Sequence, residues 1–110
     1  MEPEKWGPSF WKTFHIIASE YPNQPLDVHK QAVRQLIINI PIYLPCETCK
    51  KEAFNYIKIA KSNDYNLNQA VSNKYFLQKF FYDFHNTVNK RLKKPIHPIW
   101  DFNKPYLGFK

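Results

Sequence analysis

Two cysteines, Cys46 and Cys49, stand three residues apart behind a proline in the run Pro45-Cys46-Glu47-Thr48-Cys49, and the 110-residue chain has no others. A pair that close makes too small a loop to staple a fold, and a small secreted domain built on disulfides usually carries four or more cysteines. The pair therefore reads as chemistry. The residues CETCKKEAFNYIKIAK put Cys49, Ala53, Phe54, Ile57 and Ala60 on or near one helical face, so both sulfurs fall in a helix's first turn. There the unpaired backbone N–H groups and the positive end of the helix dipole favour thiolate over thiol. Such a pair can cycle between dithiol and disulfide. Taken alone, the spacing also fits a thioredoxin-type motif, half of a zinc site or an incidental buried pair.

The surroundings bear on these alternatives. A thioredoxin-type fold needs strands alternating with helices, yet the segment before Cys46 is a proline-bounded helical pattern. A tetrahedral zinc site needs two further ligands, and His15, His29, His85 and His97 do not show the close H-x₃₋₅-H spacing of common structural sites. A zinc-stabilised helical interaction module stays open as an alternative. A second constellation lies in Phe84-His85-Asn86-Thr87-Val88-Asn89-Lys90-Arg91-Leu92-Lys93-Lys94-Pro95, where His85 and Asn89 are one turn apart beside an apolar stripe. By itself this is a solvent-facing polar helix surface. Together with the aromatic planes of Trp11 and Trp100 and the imidazole of His15, it suits a planar aromatic cofactor carrying phosphates.

The elements that must position these groups are helices. Pro8 suits a helix's first turn, and the chain through Tyr21 shows adjacent stripes, Phe10, Phe14, Ile17, Tyr21 and Trp11, His15, Ala18. Beyond Pro22 and Pro25, Asp27 is set to cap a helix with Val28, Ala32, Val33, Leu36, Ile37 and Ile40 on its buried face, ended or kinked by Pro41 and Pro45. The cysteine helix follows, and Ser62 to Asn68 reads as a polar loop. A helix from about Ser72 to Leu92 has Leu77, Phe80, Phe81, Phe84, Val88 and Leu92 at core spacing. The tail around Ile99, Trp100 and Phe102 is expected to form a short fifth helix. The expectation is all-α: one domain over 1–110, a four-helix bundle with a short fifth helix as lid.

Composition agrees, with 44% hydrophobic and 17% aromatic residues to build a core and two glycines against nine prolines. No apolar run approaches the ~20 residues of a membrane span, and MEPEKWGP lacks the basic and then apolar order of a signal peptide. A formal charge of +7 raises a nucleic-acid-binding helical domain as a further alternative. The lysines are mostly scattered, and the dense run Lys90, Arg91, Lys93, Lys94 suits a helix C-terminus. The expectation is neither a nucleic-acid nor a membrane partner.

Three blocks in order, Trp6-Gly7-x-x-x-Trp11-x-x-x-His15, then Pro45-Cys46-x-x-Cys49 with Phe54, then His85-Asn86-x-Val88-Asn89-x-x-Leu92-x-Lys94-Pro95, followed by Trp100, span nearly the whole chain. Together they resemble the ALR/Erv family of FAD-linked sulfhydryl oxidases, above all the short oxidases of large cytoplasmic DNA viruses. The resemblance implies FAD held non-covalently at one end of the bundle. Gly7, Trp11, His15 and Phe54 would lie at the flavin, and His85, Asn86, Val88, Asn89 and Trp100 at the adenine and ribose side. Lys94, or Lys93 beside it, would meet the phosphates. It also implies Cys49 as the flavin-proximal sulfur, Cys46 as the one that meets substrate, and electron flow from a dithiol to FAD and on to O₂, giving H₂O₂. Larger relatives often carry a second cysteine pair on a mobile arm. Here the substrate, expected to be a small dithiol protein of thioredoxin-like type, must reach Cys46 directly. A homodimer through the first two helices and a cytoplasmic location, at virion assembly sites or in the virion, complete what the resemblance implies.

Overall fold

The computed structural model describes residues 2–62, 64–98, 100–104 and 106. Five helices occur in this order: α1 (Pro3–Glu20), α2 (Asp27–Tyr43), α3 (Glu47–Ser62), α4 (Asp64–Ala70) and α5 (Lys74–Arg91). α1 packs on α5 and α2 on α3, and the short α4 joins the two pairs by touching α3 and α5.

Each boundary has a local cause. Pro3 opens α1, where its missing N–H would have had no partner, and Tyr21 ends it before Pro22. The Tyr21 hydroxyl donates to the Val71 carbonyl at 2.8 Å, tying the end of α1 to the turn before α5. Leu26 caps α2 with its backbone N–H donating to His29 Nδ1 at 2.9 Å, so Asp27 is the first helical residue and not the cap. α2 continues through Pro41 to Tyr43, because a proline's fixed φ is helical and it forfeits only one ladder bond near the helix end. Asn73 caps α5, its side-chain oxygen accepting from the Phe76 N–H at 2.9 Å.

The core is a seam of rings and aliphatic side chains between the helix pairs. Phe14 and Phe81 stack at 5.3 Å, Tyr56 and Phe84 at 4.5 Å, and Trp11 meets Phe84 edge-on at 5.1 Å. Ile37, Leu77, Phe81 and Ala18 are fully buried. On α2 the inward face is Val33, Ile37 and Ile40, so Val28 and Ala32 turn outward, contrary to their expected burial. On α3 the positions of Cys49, Ala53 and Ile57 define the inner face, and Phe54, a 100° step beyond Ala53, is exposed. Ile16, Leu26 and Val28 leave apolar surface outside on α1 and at the start of α2.

The short fifth helix is α4, in the segment expected as a loop. Its asparagine-rich sequence has weak helical preference, but burial of Leu67, Ala70 and Val71 outweighs propensity. The tail, where a helix was expected, has none among its described residues; Ile99 lies outside the described residues. Pro95 and Pro98 remove backbone donors there, and side chains of α5 hold the tail in their place. Gln78 donates to the Phe102 carbonyl at 2.8 Å and Tyr82 to the His97 carbonyl at 2.8 Å. Asn86 grips His97 from both sides, accepting from its N–H at 2.9 Å and donating to its carbonyl at 3.3 Å. Gln78, Tyr82 and Asn86 are spaced four residues apart and form one polar row along α5.

α5 ends in a Schellman turn, in which the Lys94 N–H donates to the Asn89 carbonyl at 2.8 Å and the Lys93 N–H to the Lys90 carbonyl at 3.2 Å. Lys93 carries the left-handed φ of 58° that the turn requires, a conformation glycine adopts without penalty. Lys93→Gly should therefore raise stability by about 0.5–1 kcal/mol, read from the midpoint of urea unfolding. A lower midpoint would contradict the turn.

Candidate functional site

Cys46 sits at the cap position of α3. Its carbonyl accepts from the Lys50 N–H at 2.9 Å, and its sulfur accepts from the Cys49 N–H at 3.3 Å, as a serine or aspartate oxygen does at other helix starts. The two sulfurs lie 2.7 Å apart, within a small closure of the ~2.05 Å of a disulfide bond. Hydrogen bonds from Cys49, side chain and backbone, and from the Thr48 backbone pull the Cys46 thiol below its ordinary range, with the Arg91 charge adding to them. Burial, and then the neighbouring Cys46, push Cys49 up to about 11. Of the two, Cys46 therefore gives up its proton first and Cys49 holds its proton longer.

Cys49 also forms part of the wall of a cavity of about 450 Å³. That volume lies within the range of small-molecule and cofactor sites. The cavity opens between the helix pairs: α1 contributes Trp6, Gly7 and Trp11, α3 contributes Cys49 and Glu52, and α5 contributes His85, Val88 and Asn89. Lys94 and Ile96 of the tail close one side. A methyl group built on Gly7 would meet no atom within 4 Å, so this face of α1 looks onto open space.

The expected site residues divide into three groups. Gly7, Trp11, Cys49, His85, Val88, Asn89 and Lys94 line the cavity. His15 and Asn86 stand behind it. His15 is fully buried and pairs through Nε2 with His85 Nδ1 at 3.0 Å, while Trp11 stacks on His85 at 4.3 Å, so the imidazole of His85 is fixed on two sides. Asn86 is engaged with the backbone of His97 and with Asn89 at 3.4 Å, a structural use in addition to the ligand contact expected of it. Trp100 packs against Tyr106 at 5.0 Å and edge-on to His15 at 6.3 Å. Phe54, Lys93 and Cys46 are not in the wall: Phe54 faces outward, the Schellman turn sends Lys94 to the cavity instead of Lys93, and Cys46 lies on the outer side of the pair.

Sequence reading missed Glu52, His97 and Tyr106 as cavity residues and took Arg91 only as a helix-end charge. Glu52 could have been found from its place one turn beyond Cys49. His97 and Tyr106 arrive by a fold-back of the tail that leaves no periodic trace. Among the described residues no group of three or more His, Cys, Asp or Glu side chains could hold a metal ion.

Burial, helped by His97, lowers His15 to about 4. Burial, then His15, His97 and Lys94, lowers His85 to about 3. Both imidazoles are neutral in the fold and would bind a proton below about 6.5 once unfolded, so their contribution to stability is full above that pH and is lost as pH falls toward 4 and 3. Melting temperature should drop across this window, and less steeply in a His15→Gln/His85→Gln variant than in the wild type. Equal slopes would contradict the buried neutral pair.

The profile of the Erv1 / Alr family matches residues 8–106. A protein of Invertebrate iridescent virus 6, provisionally named a FAD-linked sulfhydryl oxidase, is 47% identical over 98 residues, covering 89% of this chain and 88% of its own length. The FAD-linked sulfhydryl oxidase of African swine fever virus (isolate Tick/Malawi/Lil 20-1/1983) is 37% identical over 91 residues, covering 83% and 71%. The crystal structure of the FAD binding domain of Erv1 from Saccharomyces cerevisiae superposes with a TM-score of 0.74 at 31% identity, over 94% of this chain and 89% of that one. With its helical fold and a CxxC pair whose Cys49 lines the cavity, this chain belongs to the Erv1 / Alr family.

Proposed function

We propose that the chain is a FAD-linked sulfhydryl oxidase that turns dithiols of other proteins into disulfides. FAD, bound in the cavity, would supply a two-electron acceptor for the Cys46–Cys49 dithiol and pass the electrons to O₂, giving H₂O₂. One observation carries this reading. Cys49 belongs at once to the cavity wall and to a sulfur pair at a helix start, with Cys46 on the outer side of that pair.

The residues suit such a ligand. Aromatic and aliphatic side chains make up most of the cavity wall, as a ring system requires, and polar side chains stand among them. Gly7 leaves room against α1, and the stacked, nearly parallel rings of Trp11 and His85 offer flat surface. Val88 and Asn89 line the same wall of α5, and Lys94 supplies a cation for phosphate where the tail begins. His15 would act through His85, keeping that ring in place.

On the protein side the chemistry is thiol–disulfide exchange. A substrate thiolate attacks Cys46 of the oxidised pair, forming a mixed disulfide and releasing Cys49. A second substrate thiolate then attacks the substrate sulfur of that bond and displaces Cys46 as thiolate. The N–H groups at the start of α3 stabilise this leaving group, which speeds the step that frees the product. The donor would be a dithiol protein able to dock beside Cys46.

The purified protein should be yellow, with flavin absorption near ~450 nm, and should consume oxygen in the presence of dithiothreitol. Cys49→Ala should keep the colour and lose the oxygen uptake. A folded protein that is colourless even after incubation with FAD would overturn the assignment.

A further inference from the structure

Glu52 follows Cys49 by three residues on α3 and so comes round to the same side of the helix. Its carboxylate is paired with Nε of Arg91, the last residue of α5. Both side chains line the cavity that Cys49 lines. The ion pair thus links two helices that belong to different packed pairs, beside the sulfurs. The Glu52 side chain is 17% exposed and that of Arg91 37% exposed, so the pair is neither free in water nor fully desolvated. Ion pairs with this much water contact add little stability.

We propose that Arg91, held by Glu52, is a positioning residue for the oxidation: its guanidinium keeps negative charge on the Cys46–Cys49 pair and eases loss of the second proton as the S–S bond forms. This deepens the oxidase reading and rests on it. Closing the bond releases two protons and two electrons from the dithiol, the electrons going to the flavin of the proposed function. The start of α3 already favours loss of the first proton, from Cys46. The second, on Cys49, is retained by burial and by the adjacent sulfur. Arg91 acts on both sulfurs in the helpful direction, while Glu52 opposes ionisation of Cys49.

That opposition identifies the role of the carboxylate. An arginine at a helix end has many rotamers, and Glu52 selects one that keeps the charge over the cavity. The other titratable groups of the cavity wall are Lys12 from α1, His85 from α5, and Lys94, His97 and Tyr106 from the tail. The effects of His97 and Lys94 fall on the buried imidazoles.

The test is the pH profile of alkylation by iodoacetamide, taken on the flavin-containing protein reduced under anaerobic conditions, with mass spectrometry separating Cys46 from Cys49. Arg91→Gln should move both midpoints up, by about half a pH unit or more. Arg91→Lys, which keeps a charge, should stay nearer the wild type. Oxygen uptake by Arg91→Gln should recover as pH is raised, a response that a purely structural role would not give. If Arg91→Gln does not fold, about 1 M salt on the wild type gives the second reading, because it screens charges beyond ~3 Å and should raise the midpoints likewise. Unchanged midpoints would overturn the proposal even in a working oxidase. Absent oxygen uptake with shifted midpoints would instead sink the oxidase reading and leave the electrostatic role of Arg91 standing.

Discussion

The first turn of α3 stands at a boundary: Cys49 lines the enclosed cavity, and Cys46, paired with it, lies on the outer side. A helix start can be solvated because its N–H groups need partners from outside the ladder. Cys46 fills the role of cap residue, and its sulfur accepts the N–H of Cys49. One turn of helix therefore brings the sulfurs together, favours the thiolate of the outer one and turns the inner one to the cavity. The rest of the molecule serves to hold that turn against a space large enough for a ligand.

The space exists because the two helix pairs do not close on each other at this end. Phe14, Phe81, Phe84 and Tyr56 fill the interior. Toward the start of α1, Gly7 has no side chain to continue the filling. The tail then covers part of the opening, held by the row of Gln78, Tyr82 and Asn86 on α5 and by the turn at Lys93. Hydrogen bonds to its backbone carbonyls replace the ladder that its prolines forbid. The neutral imidazoles of His15 and His85 lie beneath this cover, and their burial makes the same region sensitive to acid.

What the sequence disclosed follows the range of the forces involved. Helix type and the inner faces of α1 and α5 were readable because burial repeats every three to four residues, as with Leu77, Phe81 and Phe84. The placing of Cys46 and Cys49 at a helix start was readable because their spacing is local. The longer resemblance supplied Gly7, Trp11, His85 and Asn89, which periodicity could not distinguish from core or surface. Features that depend on the chain returning to itself were not readable. α4 owes its existence to burial of Leu67, and Val28 and Phe54 looked apolar enough for the core until neighbouring residues claimed the inner faces. Glu52 and Arg91 lie 39 positions apart in the sequence and meet only in the fold.

The central claim is that the open space beside Cys49 is where a flavin sits. Gly7→Val tests it most directly, because the added side chain meets no protein atom within reach of its Cβ and so should intrude only on a ligand. FAD affinity, measured by fluorescence titration of the apoprotein, should fall by about tenfold or more, as a 1.4 kcal/mol loss would give, with helical circular dichroism preserved. A variant that folds and binds FAD as tightly as the wild type would contradict the account.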